Sequence, residues 1–232
     1  PYPFPCWQPG ERLRVLYDLS IPAQTPAGVY TLTVAYGANG EWRMANDEME
    51  GGTIRRFADS QIHNEITLGQ VEVQARSRRF TLPEDIRFPV DYRLGEHIRL
   101  VGYDVGATTV RPGEQVSCTL YWQAEGTPDI GYTVFVHILD PVSRVRGQRD
   151  APPQNGAAPT TSWLPGQVIV DPYVFSVDAD APPGEYRLEV GMYNWMTGER
   201  LAVFDASGTP VSDNHIILEP IILVSGLAPD ER

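Results

Sequence analysis

Lysine is missing altogether. The 18 basic residues of the 232-residue chain are all arginine, 30 acidic residues outnumber them, and the formal net charge is −12. A balance of that sign argues against a phosphate-binding face, so nucleic acid is not an expected partner. Codon bias accounts for the arginine preference more simply than a function does. Cysteine is nearly as scarce. Cys6 and Cys118 lie far apart, which excludes a CxxC metal or redox motif. Cys118 shares one face of a strand pattern with Val116 and Leu120 and reads first as a buried thiol. Both cysteines are also candidates for a disulfide or an assembly cross-link, Cys6 with a cysteine of another chain. No apolar run approaches the ~18 residues of a membrane-spanning helix. The chain begins at Pro1 without a signal sequence, as expected of a processed chain or a fragment.

Catalytic patterns are absent too. His63, His97, His137 and His215 show no HxH or HExxH spacing. No serine or cysteine sits in a strand–elbow–helix context, and no motif nominates a pair of glycosidase carboxylates. The expectation is a protein that is not an enzyme, with no cofactor. Asp178, Asp180 and the run Asn46-Asp47-Glu48-Met49-Glu50 offer oxygen ligands without the spacing of a calcium loop, so calcium is left open. Helical periodicity with caps is likewise missing.

Glycine and proline are plentiful, 21 of each, and scattered as turn punctuation among short strand patterns. A repeat organises them. WQPGERLRVLYDLSIPAQTPAGVYTLTVAY (7–36) aligns without a gap on WLPGQVIVDPYVFSVDADAPPGEYRLEVGM (163–192), at an offset of 163 − 7 = 156. A later match sets Asn64–Leu68 on Asn214–Leu218. This is a duplicated structural unit. The second copy has a long forepart before Trp163, whereas six residues precede Trp7. The expected fold is all-β: two immunoglobulin-like β-sandwich units, the first partial (its back half only) and the second complete. Residues 1–80 are assigned to the partial unit, 81–95 to a linker, 96–226 to the complete sandwich and 227–232 to a tail.

Strands are expected over 12–21, 28–37 and 62–74 in the first unit. In the second they are expected over 96–105, 114–124, 131–140, 144–149, 168–177, 184–194, 199–205 and 214–224. In the third of these, Val134, Val136 and Ile138 face one way and Phe135, His137 and Leu139 the other. Both faces are largely apolar, so the strand is central or covered on both sides. His137 there reads as a satisfied core or interface histidine. Pro182-Pro183-Gly184-Glu185-Tyr186 and Pro26-Ala27-Gly28-Val29-Tyr30 match the tyrosine corner, in which a strand-starting tyrosine bonds back to the backbone. Tyr30, Tyr186, Trp7, Trp122 and Trp163 are therefore assigned to structure.

The second unit also carries Leu100-Val101-Gly102-Tyr103, Arg111-Pro112-Gly113-Glu114, Leu120-Tyr121-Trp122-Gln123, Tyr132–His137, Asp150, Thr161-Ser162-Trp163, Pro165-Gly166 and Asp171-Pro172-Tyr173. With the corner segment, these residues resemble the β-sandwich region that follows the membrane spans of large bacterial glycosyltransferases of the dolichyl-phosphate-mannose mannosyltransferase type. The resemblance covers about 82–224, and 7–75 for the partial copy. It implies a location outside the cytoplasm, extracellular or at the cell surface. A fainter likeness, in the Gly-x-Tyr strand, is to sugar-binding sandwiches of polysaccharide exporters.

Two functions follow as expectations. A sandwich lacking its front strands exposes a sheet edge and an apolar face that other chains can cover. That favours a structural subunit of a self-assembling filament, tube or coat, a homo-oligomer or polymer. The alternative is a carbohydrate-binding accessory module taking polysaccharide on Trp42, Tyr193 and Trp195.

Overall fold

A computed structural model of the chain describes residues 21–37, 47–50, 53–56, 62–74 and 76–225. The chain divides after Ser77 into two compact units. Apart from short 3-10 turns, the described residues form strands and loops only, so the fold is all-β.

The first unit holds β1 (Gly28–Gly37), β2 (Asp47–Glu50), β3 (Thr53–Arg56) and β4 (Ile62–Val73) in one sheet of order β2-β3-β1-β4. Strands β1 and β4 pair antiparallel from Gly28↔Val73 to Gly37↔Ile62. Strand β3 lies on the other side of β1 and runs parallel to it, joined at Thr31↔Thr53. Tyr30 is buried, and its hydroxyl donates to the Pro26 carbonyl at 2.8 Å. The strand expected over 12–21 lies outside the described residues except for Ile21, which is in no strand.

The second unit holds β5 (Phe88–Leu94), β6 (Ile98–Val105), β7 (Thr109–Val110), β8 (Gln115–Ala124), β9 (Tyr132–Leu139), β10 (Val145–Ala151), β11 (Val168–Ser176), β12 (Gly184–Asn194), β13 (Val203–Phe204) and β14 (Ile216–Val224). They form two five-stranded sheets, β10-β9-β12-β14-β7 and β11-β8-β6-β5-β13. The alternation of the sequence explains why two sheets meet. On β8, Val116, Cys118, Leu120, Trp122 and Ala124 are buried, while Gln115 and Ser117 face out. On β12, Tyr186, Leu188, Val190 and Met192 are buried against them in one continuous core. Trp122 and Trp163 are fully buried there, as structural tryptophans. The Trp163 indole donates to the Ala158 carbonyl at 2.8 Å.

The duplication reappears as register. Val34 pairs with Ile66 in the first unit and Val190 with Ile216 in the second. The offsets are 190 − 34 = 156 and 216 − 66 = 150, those of the two sequence matches. The tyrosine corner repeats as well: Tyr186 donates to the Pro182 carbonyl at 2.7 Å, as Tyr30 does to Pro26. Because Tyr186 is fully buried, Tyr186→Phe forfeits this bond. We expect it to lower stability by about 1 kcal/mol, read as a lower denaturation midpoint at unchanged slope.

Three sequence expectations need correction. Residues 81–95 are no linker. They contain β5, which pairs with β6 from Phe88↔Tyr103 to Leu94↔Ile98, and the division between the units falls before Arg78. Pro83 and Pro89 disguise the strand. The register shifts between Pro89 and Tyr92, the kind of irregularity at which a sheet tolerates proline. The strand expected over 199–205 shrinks to β13; ahead of it, Glu199 to Leu201 bond back to the end of β12 through an isolated Tyr193↔Arg200 bridge, with the Asn194 amide donating to the Glu199 carbonyl and the Leu201 amide to the Met192 carbonyl. The open edge argued for the first unit is also partly filled. Strand β9 flanks β12 in the second unit, and β3, from within the first unit, takes the matching side of β1.

Candidate functional site

The outer face of the β10-β9-β12 sheet carries a polar cluster that strand register assembles. Glu189 stands directly opposite His137 across the β9–β12 ladder, and Gly191 opposite Phe135. Asp150 of β10 is paired with Phe135 from the other side. Directly opposed side chains on one face meet, so the cluster follows from pairing rather than from chain proximity.

His137 bridges two carboxylates. Its Nδ1 lies 3.1 Å from Glu189 Oε2 and its Nε2 lies 3.1 Å from Asp150 Oδ1. Burial alone pushes the imidazole pKa down, but the hydrogen bonds to Asp150 and Glu189 outweigh it and raise the pKa to about 9. Glu189 is buried. Its hydrogen bond with His137 holds it below the usual carboxylate range against the effect of burial, helped by Arg200 and His215. Arg200 Nη1 donates to Glu189 Oε1 at 3.1 Å and to the Asp213 carbonyl at 3.1 Å, and its guanidinium lies 4.5 Å from the Phe135 ring centre. A Cβ at position 191 would collide with the Phe135 ring, so glycine there gives Phe135 its place. The Tyr193 hydroxyl donates to Asp150 Oδ2 at 3.2 Å.

Beyond β12 the chain makes a tight turn organised by Asn194. Its carbonyl accepts from the Thr197 and Gly198 amides at 3.2 and 2.7 Å, its Oδ1 accepts from the Met196 amide at 3.0 Å, and its own amide donates to the Glu199 carbonyl at 2.9 Å. Gly198 adopts the left-handed φ of +73° that closes the turn. Trp195 and Met196 project from it, 69% and 75% exposed. Between Leu94–Ile98 and Pro128–Tyr132, at the end of the sandwich where β9 starts and β12 finishes, a cleft of about 250 Å³ opens, with Leu201 also in its lining.

The predicted residues divide accordingly. Trp195 is exposed, whereas Tyr193 is half-buried and tied to Asp150, so the two are not equivalent platforms. Trp7, Cys6 and Trp42 lie outside the described residues. Cys118 is corrected as a cross-linking candidate. It is a free thiol inside the core, 1% exposed, with burial pushing its pKa up to about 12, aided by Asp104 and Asp171. Asp178 and Asp180 are exposed, and among the described residues no group of three or more His, Cys, Asp or Glu side chains is arranged to hold a metal ion. No described helix is long and apolar enough to cross a membrane.

Sequence reasoning missed the Asp150–His137–Glu189–Arg200 network and the role of Asp171. Asp171 is buried inside the sandwich, where Oδ2 accepts from the Trp122 indole at 3.1 Å and the Tyr173 hydroxyl at 2.7 Å, and Oδ1 from the Gln154 amide at 2.7 Å. The Asp-Pro-Tyr motif was the available signal. It is a core polar hub rather than a reactive group.

No family model and no curated protein matches this chain. Among solved structures, a family 123 glycoside hydrolase from Clostridium perfringens, whose report concerns glycolipid glycan hydrolysis, aligns at 8% identity and a TM-score of 0.33. The alignment takes in 54% of this chain and 27% of that one, a likeness too slight to carry an argument.

Proposed function

We propose that this chain is a non-catalytic carbohydrate-binding module that works outside the cytoplasm, with Trp195 as its principal stacking surface. The observation behind this reading is an indole 69% exposed on a turn that Asn194 holds rigid. An aromatic face accepts the C–H face of a sugar ring, and a fixed turn gives it up little entropy on binding. Behind it, the hydrogen bonds of Glu189 with His137 and Arg200 tie together the sheet that carries the turn. Trp195→Ala is expected to cost about 2 kcal/mol of binding, roughly thirtyfold in affinity, and to leave the melting temperature unchanged. A glycan array followed by calorimetry on the hits checks this. Binding that survives Trp195→Ala removes the reading.

A second reading, the subunit of a self-assembling filament, tube or coat, draws on β4. Among the described residues β4 is the outermost strand of its sheet and pairs with β1 alone, whereas its counterpart β14 has β7 on its far side. Unpaired strand edges invite association. Sedimentation equilibrium separates the readings: concentration-dependent growth insensitive to glycan favours assembly, and a monomer at every concentration removes it.

A further inference from the structure

We propose that Asn155 is a site of spontaneous deamidation in the folded chain, independent of any glycan. Its side-chain amide becomes a carboxylate, and the Arg149 guanidinium that promotes the step then holds the product.

Asn155 and Gly156 lie in the 3-10 turn Pro153–Gly156 that follows β10, and both are exposed. Their φ values of +52° and +88° are left-handed, a region that asparagine and glycine tolerate best. A Cβ built on Gly156 would meet no atom within 4 Å, so nothing crowds the backbone beside Asn155. Arg149, on β10, donates from Nη2 to Asn155 Oδ1 at 2.9 Å. That bond draws electron density from Cγ and stabilises the oxyanion formed when a nucleophile adds there. It also sets a cation beside the carboxylate that results. The chain's other Asn-Gly pair, Asn39-Gly40, lies outside the described residues.

The nucleophile is the Gly156 backbone nitrogen. Its N–H donates to the Pro152 carbonyl at 3.1 Å, so that bond opens first and the proton passes to hydroxide. The nitrogen then adds to Asn155 Cγ and the Cγ–Nδ2 bond breaks. Ammonia leaves with a proton from water, which restores the hydroxide, and a five-membered succinimide remains. Water opens this ring at either carbonyl. One product is aspartate and the other is isoaspartate, whose backbone runs through the former side chain. The net change is amide plus water to carboxylate plus ammonium. Aspartate keeps the left-handed turn and gains an ion pair with Arg149. Isoaspartate adds a methylene to the backbone next to Gln154, whose amide donates to Asp171 Oδ1 at 2.7 Å, and so loosens that bond.

The full chain is held folded at mildly alkaline pH over several weeks, and the peptide containing Asn155 is followed by mass spectrometry. The expected result is the mass gain of deamidation at Asn155, with both aspartate and isoaspartate formed. Arg149→Gln should slow it roughly fivefold, the worth of one exposed charged hydrogen bond. The rate at Asn39 in the same samples is the reference and should not change. The isoaspartate fraction, separated chromatographically, should unfold at a lower urea midpoint than the unmodified chain, whereas Asn155→Asp should match it. Modification at Asn155 that occurs only once the chain is unfolded in urea overturns the inference, because the folded turn then protects the residue. A rate in Arg149→Gln equal to or above that of the unaltered chain also overturns it.

Discussion

Asp171→Ala should lower the stability of the second unit by about 3–5 kcal/mol. Three donors converge on this carboxylate, the buried Trp122 indole and Tyr173 hydroxyl and the partly buried Gln154 amide. Each donor left without a partner costs about 1–3 kcal/mol. Relief from burying the carboxylate itself offsets part of the sum. Burial is also why the Asp171 pKa is raised, despite hydrogen bonds from Gln154, Tyr173 and Trp122 that pull it down. The folded chain therefore holds this proton to higher pH than the unfolded chain does. The contribution of Asp171 to stability falls as pH rises from the ordinary carboxylate value through the raised one. Tyr173→Phe removes one donor and keeps the acceptor, so about 1 kcal/mol is expected there. Urea denaturation of the two variants side by side checks the ordering. A loss for Asp171→Ala no larger than for Tyr173→Phe would mean that the hub is not a hub.

Glu189→Ala should cost about 2 kcal/mol, because it removes the buried carboxylate that His137 and Arg200 share, while His137 keeps Asp150 and Arg200 keeps the Asp213 carbonyl. A pH signature separates this loss from simple cavity formation. The folded pKa of His137 is raised from 6.5 to about 9. Its contribution to stability is therefore complete below 6.5 and disappears as pH climbs through about 9, a ceiling on the order of 3 kcal/mol. Glu189 works in the other direction. Its folded pKa is depressed, so its contribution is complete above the ordinary carboxylate value and disappears as pH falls through the folded one. Glu189→Gln removes one of the two carboxylates beside His137, and the alkaline loss of stability should move to lower pH. Melting temperatures across neutral to alkaline pH, paired with an NMR titration of His137, measure both effects. A wild-type melting temperature flat through that range, with His137 titrating near 6.5, would contradict the network.

Much of this fold is visible in the sequence. The 156-residue offset locates two tyrosine corners that both form, and the period-two pattern of β9 correctly separates Val134, Val136 and Ile138 from Phe135 and His137. These features are local, fixed by strand pleat and by a bond spanning four residues. Strand β5 was hidden because Pro83 and Pro89 resemble linker punctuation, and only pairing with β6 makes it a strand. The polar cluster was illegible for a different reason. His137, Asp150 and Glu189 are separated by 13 and 52 positions, and nothing local states that the register puts Glu189 across from His137. Asp171 was read as part of a motif without its purpose, since its partners come from β8 and the loop at Gln154. Trp195 was legible as a candidate because it follows a strand and heads a glycine-containing turn. Its separation from the half-buried Tyr193 needed coordinates.

The chain contains five tryptophans, and the structure sorts three of them for a single experiment. Trp122 and Trp163 are sealed in the core and Trp195 is open to solvent. Indole N–H resonances of the labelled chain, followed by NMR during titration with a glycan identified on the array, report on all of them at once. The Trp195 signal should shift and saturate with the binding isotherm while those of Trp122 and Trp163 stay in place. A saturable isotherm with the Trp195 signal unmoved would place the ligand elsewhere and contradict the Trp195 reading.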